Sequence, residues 1–172
     1  MSVSSPSRKK RPPLPARAAP RPKTSTGMPH AQIGVVPEPA VDRELRRRAY
    51  ALPGVLDRPT VISVPGARAL WLADDIDLLR PEVVLRGREF AHIHPDGSLH
   101  ATLAPPRAQQ AISAGWAEPH SIAEQLGMPG LVMIYTPLTM QELDVVIELV
   151  VDSYNFVTGR SIDAATLAAP IS

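Results

Sequence analysis

Cysteine is absent from this chain of 172 residues, and long apolar runs are absent as well. The first absence excludes disulfides, thiolate catalysis and Cys-ligated zinc or iron–sulfur sites, and it leaves the redox compartment undetermined. The second excludes a membrane-spanning helix, which needs about eighteen consecutive apolar residues. An apolar content of 44% is enough for one packed domain with a tail. We therefore expect a soluble, cytoplasmic protein.

Several common catalytic and nucleotide-binding motifs are also missing. Neither Gly-x-Gly-x-x-Gly nor a Walker pattern occurs, so the sequence does not support a dinucleotide or phosphate-loop site. Neither Gly-x-Ser-x-Gly nor His-Glu-x-x-His occurs, so serine-hydrolase and zincin chemistry lack their usual signatures.

Charge is divided unevenly along the chain. Seven of the eighteen basic residues, including every lysine, precede Gly27, whereas the first acidic residue is Glu38. The remainder carries eleven arginines against seventeen acidic residues, a formal charge of −6, which argues against a nucleic-acid groove on the folded part. Residues 1–39 also hold nine of the twenty prolines. We predict a disordered basic tail over 1–39, the only part suited to nucleic acid, and a single domain over 40–172.

The pattern beyond the tail mixes strands and helices. Two segments rich in strand-favouring residues flank Pro65-Gly66, and this pattern predicts a hairpin. The segments are Thr60–Val64 and Ala67–Leu72. Thr139 to Glu142 forms a capping box, and apolar residues then recur at helical spacing until Gly159. Because no βαβ alternation appears, we expect an α+β domain: a curved antiparallel sheet with helices packed on one face.

A cluster of histidines marks the candidate site. His92, His94 and His100 fall within one short segment around Pro95-Asp96-Gly97, whose residues suit a three-residue hairpin loop. That loop pairs His92 with His100 and puts all three imidazoles on one face, together with Phe90, opposite an apolar face. A two-residue turn would mix polar and apolar residues on both faces. His120 arrives later and is a fourth candidate.

Three kinds of role suit these histidines. Neutral imidazoles bind Zn, Fe, Cu or Ni, which gives metal-assisted oxidation or hydrolysis, although Glu89 and Glu118 would complete a ligand set only if the fold brings them in. Alternatively, one imidazole removes a proton from an enol or phenol, and the resulting anion reacts with O₂. In the third interpretation the histidines only hydrogen-bond one another inside a core. Asp96 is expected to point away at the turn.

Ordered short motifs resemble those of the fungal luciferase family, whose bacterial members are mostly of unknown function. The resemblance extends from Arg88 to Gly159 and is carried by these segments: Arg88-Glu-Phe-Ala-His-Ile-His94, Ser98-Leu-His100, Gly115-Trp-Ala-Glu-Pro-His120, Leu131-Val-Met-Ile-Tyr-Thr-Pro137 and Tyr154-Asn-Phe-Val-Thr-Gly159. Fungal luciferases oxidise a hydroxylated α-pyrone with O₂, lose CO₂ and emit light without an established organic cofactor.

The resemblance implies a histidine-lined pocket in an oxygenase-type enzyme that acts on a planar, enolisable small molecule, with O₂ as co-substrate. Light emission is not expected, and neither is an organic cofactor; a divalent metal (Zn, Fe, Cu or Ni) is the alternative cofactor. The predicted catalytic residues, which are also the alternative metal ligands, are His92, His94, His100 and His120. The predicted substrate-binding residues are Trp116, Arg88 and Phe90. The competing hypothesis is a non-catalytic domain that binds a small molecule or a metal. The oligomeric state is not predicted.

Overall fold

The computed structural model describes residues 11–84 and 86–169. Its elements, in chain order, are α1 (Pro39–Tyr50), β1 (Val55–Pro59), β2 (Arg68–Leu72), β3 (Glu89–Ile93), β4 (Leu99–Thr102), α2 (Pro105–Ser113), β5 (Ala117–Pro119), β6 (Leu131–Ile134) and α3 (Met140–Thr158), with 3₁₀ turns at Pro81–Val83 and Ala164–Leu167. No helix within these residues is long and apolar enough to cross a membrane.

The six strands form one antiparallel sheet in the order β1-β2-β3-β4-β6-β5. Helix α3 packs against β3 and β4, and α1 packs against α3 and β1. A single apolar core joins these helices to the alternate residues of the central strands that do not carry the histidines, among them Ile93 and Leu99. The predicted α+β class is therefore confirmed.

Helix α3 has the ends that the sequence predicts. Thr139 Oγ1 accepts a hydrogen bond from the Glu142 amide at 3.1 Å, and Gly159 ends the helix with φ +78°. The helix buries a wide apolar face, including Leu143, Val146 and Val150. The apolar face of α3 packs against β3 and β4, which together form the central hairpin.

The first hairpin differs from the prediction. The partner of β2 is Val55–Pro59, and residues 60–67 form the connecting loop. Buried Glu89 accepts hydrogen bonds from Thr60 Oγ1 at 2.7 Å and from the Val61 amide at 2.9 Å. The Thr60 amide still donates to the Ala67 carbonyl at 3.2 Å, but the Val61 amide is bound by a side chain instead of a neighbouring strand, an effect that strand propensity cannot register.

The N-terminal segment is also placed differently from its composition-based prediction. Residues 1–10 lie outside the described residues, but residues 11–38 lie against the domain without a helix and fold back where Thr24 forms an antiparallel bridge with Gln32. Trp116 Nε1 donates to the Pro15 carbonyl at 2.7 Å, and the Gln32 amide donates to Thr136 Oγ1 at 2.7 Å. Polar contacts fix this segment together with Leu14, which packs against the apolar core, and the prolines of the segment reduce the entropy lost on ordering. A separate domain over 40–172 remains a prediction.

Gly130 precedes β6 where two stretches of backbone nearly touch. A Cβ atom at this position would lie 1.9 Å from the Leu103 carbonyl oxygen. We expect Gly130→Ala to lower the free energy of unfolding by about 3 kcal/mol, because backbone must move to relieve the clash. Thermal or urea unfolding measures this loss. Gly27→Ala is the matched control, since its Cβ meets nothing within 4 Å; equal stability of the two variants would contradict the prediction.

Candidate functional site

All five histidines of the chain meet in one buried cluster. The ring centroid of His100 lies 4.2 Å from that of His120 and 4.4 Å from that of His94. It lies 5.0 Å from the His92 ring and 5.5 Å from the His30 ring, which is stacked on it. Each of the five residues is at most 7% exposed. The cluster therefore brings together the four predicted catalytic histidines and adds His30.

The central hairpin supplies three of these imidazoles. His92 pairs with His100 across β3 and β4, and the His94 amide donates to the Ser98 carbonyl at 2.8 Å. The register is that of the predicted three-residue loop, whose Gly97 has φ +86°. His120 follows β5, where its amide donates to the Leu131 carbonyl at 3.0 Å, and His30 comes from the N-terminal segment.

Glu89 forms a hydrogen bond with Nδ1 of His92. Its carboxylate accepts from His92 Nδ1 at 3.0 Å, in addition to the bonds from Thr60 and Val61. A β-bulge explains its position: Leu70 pairs with Ala91 but Trp71 pairs with Glu89, so one extra residue brings Glu89 to the histidine face. Burial opposes ionisation of this carboxyl, but its three hydrogen bonds lower the pKa on balance. Glu89 is therefore a charged acceptor behind His92.

Asp96 plays a similar part behind His94, although the sequence suggests that it points away. Ser98 Oγ donates to Asp96 Oδ1 at 2.6 Å and lies 2.9 Å from His94 Nδ1. Because the serine proton is committed to Asp96, Ser98 Oγ accepts from His94 Nδ1–H. The lone pair of His94 is consequently on Nε2, which has no hydrogen-bond partner among the described residues.

A second carboxylate network surrounds His30. His30 Nε2 lies 2.5 Å from Glu118 Oε1, and the Tyr135 hydroxyl donates to Glu118 Oε2 at 2.9 Å. The Arg21 guanidinium in turn donates to the Tyr135 hydroxyl at 3.4 Å. His30 Nδ1 accepts the Ser121 amide at 3.4 Å. Glu118 thus orients His30.

Burial keeps the centre of the cluster uncharged at neutral pH. Desolvation, followed by repulsion from His92, lowers the pKa of His94 to about 4. Desolvation, followed by repulsion from His30, lowers the pKa of His120 to about 4. The pKa of His100 is also lowered, first by burial and then by His94. Neutral imidazoles offer lone pairs, as proton transfer to histidine and metal ligation both require.

A cavity of about 560 Å³ opens beside the cluster. Four of the histidines line it, together with apolar side chains and the loop of residues 60–67. The lining residues are Met28, Pro29, His30, Ile62, Ser63, Val64, His92, His100, His120, Ile122 and Leu131. A volume of this size with a few polar groups on an apolar wall is typical of small-molecule sites.

The structure does not bring the three predicted substrate-binding residues into this cavity. Arg88 donates to the Leu72 and Ala73 carbonyls, each at 2.8 Å, and so fastens the chain after β2. Phe90 is the extra residue of the bulge, and its ring packs edge-on against Tyr154 of α3. Trp116 is buried and bonded to Pro15. Each has a structural contact in place of a cavity contact.

Sequence reasoning missed His30 because it lies within the segment assigned to the tail. The sequence predicts a role for Glu89 and Glu118 only if the fold brings them to the histidines, and the structure places Glu89 beside His92 and Glu118 beside His30. The only signal for His30 was that it is the fifth histidine in a chain whose other four already formed a candidate site.

Parts of this sequence are similar to known proteins. Residues 87–153 match the family model described as "Luciferase domain". The "Luciferase" of Armillaria gallica is 29% identical over 167 residues, which cover 86% of this chain and 62% of the relative. Those of Armillaria mellea and Armillaria ostoyae are 29% and 28% identical with the same coverage.

The chain thus spans about 62% of the length of these curated relatives. No solved structure matches it significantly. The matched region contains the central hairpin with Glu89, the His120 segment and most of α3, which agrees with the resemblance in the sequence motifs. Residues 87–153 are therefore similar to the Luciferase domain, and most of the chain is similar to fungal luciferases.

Proposed function

We propose that this protein is a small-molecule oxygenase that acts on a planar, enolisable substrate in the histidine-lined cavity. The observation that carries the proposal is the set of lining residues: four buried histidines line a cavity whose other lining residues are mainly apolar. An apolar wall accommodates a flat ring, while imidazoles meet its hydroxyl and carbonyl groups. The "Luciferase" name of the relatives supports an oxidation of this class.

The proposed reaction begins with loss of the enol proton. His30 is the proposed base: Glu118, 2.5 Å from its Nε2, fixes the tautomer with the lone pair on Nδ1, which would give up its 3.4 Å hydrogen bond from the Ser121 amide when it takes the proton. The enolate carbon then bonds to O₂ and gives a keto peroxide anion, which takes up the proton again as a hydroperoxide. The net change is addition of O₂ to the substrate, and no other oxidant is needed.

His120 is the proposed partner of the developing oxyanion. His120 Nδ1 accepts the Ile122 amide at 3.3 Å, so its proton lies on Nε2 and is available for donation. Donors fixed before the reaction stabilise charge as it develops, which is how oxyanion holes act. Light emission is not part of this proposal.

Oxygen uptake by the purified chain tests the proposal. A panel of hydroxylated α-pyrones and phenols is added to the protein in an oxygen-electrode cell, and binding is followed separately by calorimetry. Protein-dependent O₂ consumption with at least one enolisable compound, absent with its O-methyl ether, supports the proposal. Binding without O₂ consumption would overturn it and favour the non-catalytic binding domain; neither binding nor consumption would overturn both.

Filling the cavity is expected to block ligand binding without changing any histidine. Ile122 lines the cavity, and in Ile122→Trp the indole would occupy part of its volume. We expect the dissociation constant of any ligand found in the panel to rise at least about 10-fold, the equivalent of 1.4 kcal/mol. Leu138→Trp is the matched control, because Leu138 is 40% exposed and does not line the cavity. Equal affinities in the two variants would place the ligand elsewhere.

A further inference from the structure

Two ring nitrogens at the centre of the cluster are buried without partners. His94 Nε2 and His100 Nε2 make no hydrogen bond among the described residues. His94 is only 4% exposed and His100 only 7% exposed. A buried polar atom without a partner costs about 1–3 kcal/mol, so its retention needs a cause. A bound ligand that accepts nitrogen lone pairs would be such a cause.

The protons of this group can be placed by following its hydrogen bonds. Glu89 accepts from His92 Nδ1–H, so the lone pair of His92 is on Nε2. His92 Nε2 lies 3.0 Å from His100 Nδ1, and it therefore accepts the proton of His100. The lone pair of His100 is then on Nε2, as it is in His94. In two of these three imidazoles, those of His94 and His100, the lone pair therefore has no hydrogen-bond donor among the described residues.

We propose that His92, His94 and His100 bind a divalent transition-metal ion. One ring nitrogen from each of them lies within 4.8 Å of the other two. Ligand nitrogens around a tetrahedral Zn²⁺ lie about 3.4 Å apart when the Zn–N bonds are roughly 2.1 Å, a spacing that falls within the limit containing the three ring nitrogens. Small side-chain rotations would bring the three nitrogens to bonding distance.

The carboxylates behind the ligands support this site. Glu89 fixes the tautomer of His92 directly, and Asp96 fixes that of His94 through Ser98. Metal-binding histidines commonly donate their second ring proton to such an acceptor, which orients the ring and raises its basicity. A structural histidine cluster has no need for two independent carboxylate supports.

The alternative triplet of His30, His100 and His120 is less suited to a metal, although its nitrogens are equally close. Both ring nitrogens of His30 are engaged by groups outside its triplet, one by Glu118 and the other by the Ser121 amide, whereas His92 Nε2 is engaged by His100 of its own triplet. His120 Nδ1 is engaged by the Ile122 amide. The metal would therefore occupy the first triplet and leave His30 and His120 for the substrate.

The ligand set limits which ion binds. Three imidazoles favour Zn²⁺, Co²⁺, Ni²⁺, Cu²⁺ or Fe²⁺ over the oxygen-seeking Mg²⁺ and Ca²⁺. His92 and His100 also line the cavity, so a fourth coordination position would open toward it. Three protein ligands with an open position are typical of catalytic rather than structural metal sites. The site does not depend on the proposed oxygenase reaction, since it follows from the geometry of the imidazoles alone.

Cobalt titration of the untagged, EDTA-treated full chain tests the site. Because every histidine belongs to the cluster and cysteine is absent, Co²⁺ held by side-chain nitrogen reports on the cluster alone. We expect one equivalent of Co²⁺ with the visible absorption of a four-coordinate ion, displaced by Zn²⁺ and unaffected by Mg²⁺. No uptake of Co²⁺ or Zn²⁺ by the native chain would overturn the proposal whatever the variants do.

Two substitutions and a control locate the ion. His94→Gln is expected to weaken Co²⁺ binding at least about 100-fold, and Ser98→Ala about 10-fold or more through loss of ligand orientation. His30→Gln removes a neighbouring imidazole outside the triplet and is expected to change affinity less than about 3-fold. Melting curves without metal identify any variant that does not fold. A loss of affinity in His30→Gln equal to that in His94→Gln would overturn this ligand set.

Discussion

Replacing His100 with alanine is expected to lower kcat/KM for O₂ consumption at least about 1000-fold, the equivalent of about 4 kcal/mol in transition-state stabilisation. His100 is the one imidazole that belongs to both nitrogen triplets, and its ring is in contact distance of the other four. Its loss removes a cavity group and a metal ligand at once. The measurement is steady-state O₂ uptake with whichever substrate the panel provides.

Single alanine changes at His92, His94 and His120 extend this test. Each is expected to abolish turnover while the circular dichroism spectrum and the cooperative melt persist. Gln109→Ala, on the exposed side of α2, is the control and should retain full activity. If all four histidine variants instead lose the same large amount of thermal stability and keep residual activity in proportion to the folded fraction, the cluster is structural.

The oxygenase proposal and the metal proposal can fail separately. Metal binding is measured without substrate, and it depends on His92, His94 and His100. Base catalysis is assigned to His30, which Glu118 supports and which does not belong to the proposed ligand set. A His30→Ala variant that keeps one equivalent of Co²⁺ but loses O₂ uptake would separate the two roles; loss of both together would show that the roles overlap.

Sequence reasoning predicts the central hairpin well because its determinants are local. The alternation of apolar and polar residues and the chemistry of Pro95-Asp96-Gly97 both favour one register, and the structure has that register. The capping residues of α3 are local in the same sense. Where neighbours along the chain decide the structure, the pattern alone is sufficient.

The rest of the site depends on contacts between distant residues. Glu89 reaches the histidine face through a bulge, which the alternating pattern does not show, and the same bulge removes Phe90 from that face. His30 is held by Glu118, 88 residues further along the chain. Arg88 donates to the carbonyls of Leu72 and Ala73, which lie 16 and 15 residues away, and no sequence pattern marks such partners. Such contacts become visible only when the chain is folded.

Glu89→Leu is expected to reduce the free energy of unfolding by about 3–5 kcal/mol. Leucine has a similar volume but accepts no hydrogen bond, so the donors on Thr60, the Val61 amide and His92 Nδ1 would lose their buried partner. Glu89 is itself only 2% exposed, which leaves little access for water to replace the carboxylate. Urea unfolding of the full chain measures the loss.

The same substitution is expected to affect the cavity as well as stability. Glu89 ties the loop of residues 60–67 to β3, and that loop contributes Ile62 and Val64 to the cavity wall. Glu89→Gln keeps one carbonyl acceptor and should retain part of the stability, whereas Glu82→Leu, at an exposed position, should lose almost none. If Glu89→Leu is as stable as Glu82→Leu, the carboxylate does not anchor the loop, and the support assigned to His92 would have to come from another group.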